Sequence, residues 1–158
     1  MLRILPHKVA RVLGILLIFS FIFSCSSLRT AIFDQYSYQR TVDIRVETEA
    51  LLNNAVEPYT TYQDQAEALL LDARKVMEYE KHKPDNETTY RMWKLVLDPD
   101  SNLLAGLIKR WEAQTTLSPT FTNEAVSQVN KAMDLILKFE MKKDRQTKDS
   151  IVQLLSRS

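Results

Sequence analysis

Between Pro58 and Pro84, apolar or small residues fall at Tyr59, Tyr62, Ala66, Leu69, Ala73 and Val76, a 3-4-3-4-3 spacing that lines one face of a helix. Leu70, Leu71 and Met77 widen the stripe, so the helix is expected to pack against two neighbours. Thr61 followed by Asp64 resembles a capping box for its start. After Pro119 the row Phe121, Ala125, Val129, Ala132, Ile136 and Phe139 predicts a second long helix to about residue 143, with Ser118 as N-cap and Pro119 in the first turn. Beyond it the chain is mostly charged to residue 150, then Ile151, Val152, Leu154 and Leu155 form a short amphipathic end. That end either continues the helix or docks as a separate short one.

Two shorter helices are predicted between these, over 87–97 behind the caps Asp85 and Asn86, and over 103–111 behind Asp100, Ser101 and Asn102. Trp93 and Trp111 are their largest anchors, and Asp98-Pro99-Asp100 is the turn joining them. The segment from Tyr36 to Val46 alternates with period two, as a half-buried strand would. A strand needs a ladder partner, however, and no other segment offers a comparable run. Val42, Val46 and Ala50 recur every four residues, and Ile44, Thr48, Leu51 or Leu52 and Ala55 give a second row. A helix from residue 36 or 41 to 56, with an extended start, follows. Only one glycine, Gly106, lies beyond residue 24, which disfavours a fold built on tight hairpin turns. The predicted fold class is all-α, a small bundle of about three longer and two short helices.

The first residues read differently. Arg3, Lys8 and Arg11 precede a run from Val12 to Phe23 with no acidic residue, a basic region followed by an apolar one. As a helix of about 1.5 Å per residue it would cover roughly 18 Å, short of a hydrocarbon core about 30 Å thick. The only cysteine follows directly, in Ile22-Phe23-Ser24-Cys25. This stretch resembles the signal peptide of bacterial lipoproteins, whose cleavage motif ends in an obligatory Cys. Ile22 fits the aliphatic position and Ser24 the small one, while Phe23 departs from the usual small residue. The resemblance implies cleavage before Cys25, lipid attachment as a diacylglycerol on its thiol, and an acyl group such as palmitate on the new amino group. It makes residues 1–24 a signal peptide, 25–33 a lipidated tether and 34–158 the helical domain. The alternative is an uncleaved anchor or an ordinary signal peptide with Cys25 incidental. Because Ser26 is not the Asp that favours inner-membrane retention in many Gram-negative lipoproteins, the resemblance implies the periplasmic face of the outer membrane.

Residues 25–158 hold 18 Lys and Arg against 20 Asp and Glu, with no basic run beyond Lys142-Lys143. Nucleic acid is therefore not an expected partner, since phosphate binding needs concentrated positive charge. A single histidine remains there, His82, between Lys81 and Lys83, and reads as a solvated charge at a helix C-terminus. No cofactor or metal is expected. The pairs Glu47/Glu49, Glu78/Glu80 and Asp98/Asp100 are two apart and diverge on a helix. A carboxylate acid and base could still be assembled from different helices, but no catalytic residue is assigned. Asn86-Glu87-Thr88 matches a glycosylation acceptor and is more simply a helix cap. Tyr36, Tyr38, Tyr59 and Tyr62 are expected near the junction of the first two long helices, as a partner or ligand surface or as the closed end of a core. The functional expectation is a lipid-anchored envelope protein, bound to a membrane through its acyl chains, that acts by binding other envelope components and not by catalysis. The alternative is a helical-bundle receptor for a small apolar or aromatic ligand.

Overall fold

The computed structural model describes residues 31–142 and Gln153. The leader, Cys25 and the amphipathic end at 151–155 lie outside the described residues, apart from Gln153. Among the described residues there are five helices: α1 (Gln35–Leu52), α2 (Tyr59–His82), α3 (Glu87–Val96), α4 (Leu104–Gln114) and α5 (Pro119–Lys142). No strand occurs among the described residues. The fold is the predicted all-α bundle of three long and two short helices.

The alternating segment is helical. Asp34, in extended backbone, caps α1 by accepting from the Tyr36 and Ser37 amides at 2.9 and 3.4 Å. The face turned inward is Ser37, Thr41, Ile44, Thr48, Leu51 and Leu52. Of the two predicted rows, the one through Ile44 is buried, whereas Val46 and Ala50 are exposed. Hydroxyls can occupy the inner face because a helix offers them acceptors, as when Thr41 Oγ1 donates to the Ser37 carbonyl at 2.7 Å. The helix stops at Leu52, short of the predicted residue 56, and 53–57 form turns closed by bonds such as Glu57 N to Asn54 O at 2.9 Å.

Helix α2 buries Tyr59, Ala66, Leu69, Ala73 and Val76, the predicted stripe with Tyr62 half-buried beside it. Its start departs from the predicted Thr61/Asp64 box. Pro58 is the cap residue and the helix begins at Tyr59, whose amide donates to the Thr115 carbonyl at 2.8 Å. A neighbouring loop thus satisfies one of the first-turn amides that have no acceptor within the helix. At α5, Ser118 does cap, accepting from Phe121 N at 3.3 Å. Leu103, not Asp100, Ser101 or Asn102, is the cap position of α4, with Ser101 Oγ accepting from its amide at 3.1 Å.

Helix α1 packs on α2 and α5, α2 on α3 and α4, and α3 on α5. Trp93, Trp111, Phe139, Met133 and Ile136 are fully enclosed in the shared core. One end of the bundle is stitched by backbone: Leu117 N donates to Ala55 O at 2.8 Å, alongside the Tyr59–Thr115 bond. There the Trp111 indole N–H donates to Glu57 O at 2.9 Å. The opposite end gathers the N-termini of α1 and α3 and the C-termini of α2 and α5. Ala31 N is fixed to this end by donating to Asp85 O at 3.1 Å.

Candidate functional site

At that second end the apolar core gives way to charge. Glu80 occupies the last core-facing turn of α2, four residues after Val76, and its side chain is fully buried. Glu140 occupies the corresponding place on α5, four residues after Ile136, and is also fully buried. Taking a carboxylate out of water costs several kcal/mol unless charge and hydrogen bonds replace the lost hydration. Here they do. Ser37 Oγ donates to Glu80 Oε1 and Asn86 Nδ2 donates to Oε2, in short contacts from the first turn of α1 and the cap of α3. Thr89 Oγ1, on the first turns of α3, donates to Glu140 Oε1 at 2.9 Å.

Among the described residues, the ammonium that these groups share belongs to Lys83, just past α2 and mostly buried. Its Nζ lies 3.3 Å from Glu80 Oε2, 3.3 Å from Asp34 Oδ2 and 3.9 Å from Glu140 Oε2, and donates to Ser37 Oγ at 2.9 Å. The amide-bearing ends of α1 and α3 face the same region and favour negative charge there. Burial alone would push the Asp34 carboxyl up, but the hydrogen bond from Tyr79 and the nearby Lys83 ammonium outweigh it and hold it below its ordinary value. The same bond, Tyr79 OH to Asp34 Oδ2 at 2.7 Å, pushes the phenol of Tyr79 up to about 12, with burial adding to it.

Around this cluster lies an aromatic rim. Tyr36 packs on Tyr79 with centroids 4.8 Å apart, and Phe33 on Tyr38 at 6.1 Å. Tyr59 and Tyr62, in contrast, pack on Trp111 at 5.5 and 5.8 Å, at the other end of α2. The four tyrosines expected together are thus divided between the two ends. An antiparallel pair of long helices places the start of α1 beside the end of α2, not beside its beginning.

His82 is exposed, with its Nε2 2.9 Å from Glu78 Oε1 one helical turn away. The Glu78/Glu80 pair diverges as its spacing requires, one to solvent and one to the core. Asn86 is the cap residue of α3 but makes no side-chain cap bond, its amide being turned to Glu80 and the Glu80 carbonyl. No group of three or more His, Cys, Asp or Glu among the described residues is arranged to hold a metal ion. Glu80, Lys83 and Glu140 carried no signal of composition. They did carry one of register, because Glu80 and Lys83 extend the 3-4 stripe of α2 at its next two positions, and Glu140 extends that of α5.

A separate groove of about 610 Å³ lies between α2, α3 and α4, with Tyr59, Leu70, Met77, Leu97 and Ile108 in its wall. Arg74, Lys94, Glu67 and Glu112 also line it. Comparison of the chain with protein-family models, with characterised proteins and with solved structures finds no match.

Proposed function

We propose that this chain is a lipid-anchored bacterial envelope protein whose helical domain acts by binding other envelope components, with Cys25 as the lipid attachment site. The observation that carries the reading is positional: the chain's one cysteine stands at the end of a basic-then-apolar leader and six residues before the buried Ala31. No helix among the described residues is long and apolar enough to cross a membrane. On this reading the attachment is made at Cys25, and two or three acyl chains would make it durable, at about 0.8 kcal/mol per buried methylene. The buried charge cluster suits a binding module by fixing the ends of four helices to one another, so that a partner meets a preformed surface.

Growth with an alkyne-bearing fatty acid tests the anchor. The wild-type chain is expected to take label and Cys25→Ala to lose it; a labelled Cys25→Ala chain refutes the assignment. Crosslinking in intact cells, followed by identification of the captured chains, tests the binding role, which requires the same envelope proteins to be recovered with wild type and lost when the domain is released from the membrane.

The groove between α2, α3 and α4 favours a second reading, a receptor for a small ligand with an apolar body. A volume of about 610 Å³ falls within the range of about 300–1,000 Å³ that small-molecule sites occupy. Saturable binding of an apolar fluorescent dye, abolished by Leu70→Glu, would support it; binding unaffected by that change would not.

A further inference from the structure

Large apolar side chains exposed among the described residues number eight, and five of them, Ile32, Phe33, Tyr36, Tyr79 and Met141, lie at the charge-cluster end of the bundle. The remaining three, Val46, Val56 and Leu71, are scattered over α1, the far loop and the middle of α2. Scattered apolar residues are ordinary on a protein surface, whereas a concentration at one end calls for something to cover it. Ile32 is 87% exposed and Tyr36 50%. Both stand within five residues of Ala31, whose amide is fixed to the Asp85 carbonyl.

Resting on the lipid-anchor reading, we infer that this end of the bundle, through Ile32, Phe33, Tyr36, Tyr79 and Met141, sits in the membrane–water interface beside the acylated Cys25. The length of chain between them decides the occupant. Residues 26–30 span at most about 18 Å when fully extended, so the patch cannot leave the neighbourhood of the bilayer. The opposite end can, because a helix of 24 residues is about 36 Å long at 1.5 Å per residue. The chemistry of the patch agrees. Tyrosine pairs an apolar ring with a polar hydroxyl and is enriched at headgroup depth, and here the Tyr36 and Tyr79 rings pack against each other at a tilt of 59°. Isoleucine, phenylalanine and methionine supply purely apolar area beside them. An anchor that allows rotation would thereby hold the domain in one orientation, with the stitched end at 53–58 and 115–118 directed away from the lipid.

The test uses the chain processed in cells and purified with its own anchor, in vesicles of phosphatidylethanolamine and phosphatidylglycerol. A benzophenone amino acid replaces Phe33, Tyr36 or, as the far-end control, Val56. Irradiation is expected to attach phospholipid at positions 33 and 36 at least fivefold more than at 56. Mass spectrometry of the same samples reads the lipid on Cys25. Equal labelling at all three positions with Cys25 acylated overturns this inference alone. Crosslinking at 33 or 36 to a second copy of the chain, in place of phospholipid, also overturns it. A bare Cys25 sinks both the orientation and the anchor on which it rests.

Discussion

Glu80 and Glu140 stand on different long helices, both fully enclosed, and reach the same Lys83 ammonium, at 3.3 and 3.9 Å. With Asp34 at 3.3 Å, three carboxyl groups surround one cation. Neutral donors at the starts of α1 and α3, Ser37, Asn86 and Thr89, add to the compensation. The cluster therefore joins α1, α2, α3 and α5 by directed bonds, where an apolar contact would permit sliding. The far end is joined by backbone hydrogen bonds and the Trp111 indole instead.

Removing the shared cation is expected to be costly. Lys83→Met leaves Glu80 buried without its ion pair, and breaking one partner of a buried pair typically costs about 3–5 kcal/mol. Because Lys83 retains slight exposure, the lower part of that range is expected, measured by urea unfolding at neutral pH. A loss below about 1 kcal/mol would mean that Ser37 and Asn86 alone compensate Glu80. Glu80→Gln combined with Lys83→Met should cost less than the two changes added together, since each removes one side of the same interaction.

How much of this was legible beforehand depended on whether a rule operates within one helix or between helices. The stripe of α2 and that of α5 were readable because a 3.6-residue period projects apolar residues onto one face, and Trp93 and Trp111 are enclosed as anchors. The segment at 36–46 was ambiguous because Ser37 and Thr41 fill inner positions that a hydrophobicity pattern scores as outer ones. Glu80 and Glu140 had the right register and the wrong polarity. Their burial depends on donors brought from α1 and α3, which no spacing along α2 or α5 encodes. The division of the four tyrosines had the same origin, since neighbours in sequence across a helical hairpin differ from neighbours in space.

Gly106 is expected to reverse the usual preference of helices for alanine. An alanine Cβ there would stand 1.7 Å from the Ser101 carbonyl oxygen and 2.9 Å from its carbon. In an exposed helix interior Gly→Ala gains about 1 kcal/mol. Here the added methyl must displace the loop before α4, and overpacking of that kind costs about 1–3 kcal/mol. Gly106→Ala should thus lower stability by about 2 kcal/mol and loosen the loop, seen as faster amide exchange at Ser101 and Leu103. A stabilised variant would show that this loop yields without cost.

Thr48 presents the converse case. Its hydroxyl is buried on the inner face of α1 and makes no hydrogen bond, while that of Thr41 donates to Ser37 O. An enclosed polar atom without a partner costs about 1–3 kcal/mol. Thr48→Val keeps the shape and removes the polar atom, so a gain of about 1 kcal/mol is expected in thermal unfolding. A loss of similar size would indicate a bond to the hydroxyl that the native protein makes in solution.

The bond between Tyr79 and Asp34 makes stability depend on pH at both extremes. Asp34 is held below its ordinary value of 3.8 in the folded chain. Its contribution is therefore present above that value and is lost as the pH falls through the lowered folded one. Tyr79 moves the other way, from 10.0 up to about 12. Its contribution is complete below pH 10 and disappears as the pH rises towards about 12, because the unfolded phenol then ionises more readily than the folded one. Tyr79→Phe should remove the high-pH component assigned to this phenol and raise the Asp34 pKa by withdrawing a donor, read from carboxyl carbon shifts in an NMR titration. Asp34→Asn should lower the Tyr79 ionisation towards 10, read from the ring carbon that bears the hydroxyl. Lys83→Met separates the contributions: it should raise the Asp34 pKa by removing the nearby ammonium while leaving the phenolic hydrogen bond in place. An Asp34 titration unmoved by Tyr79→Phe would show that the Lys83 ammonium, not the phenol, holds this carboxylate charged.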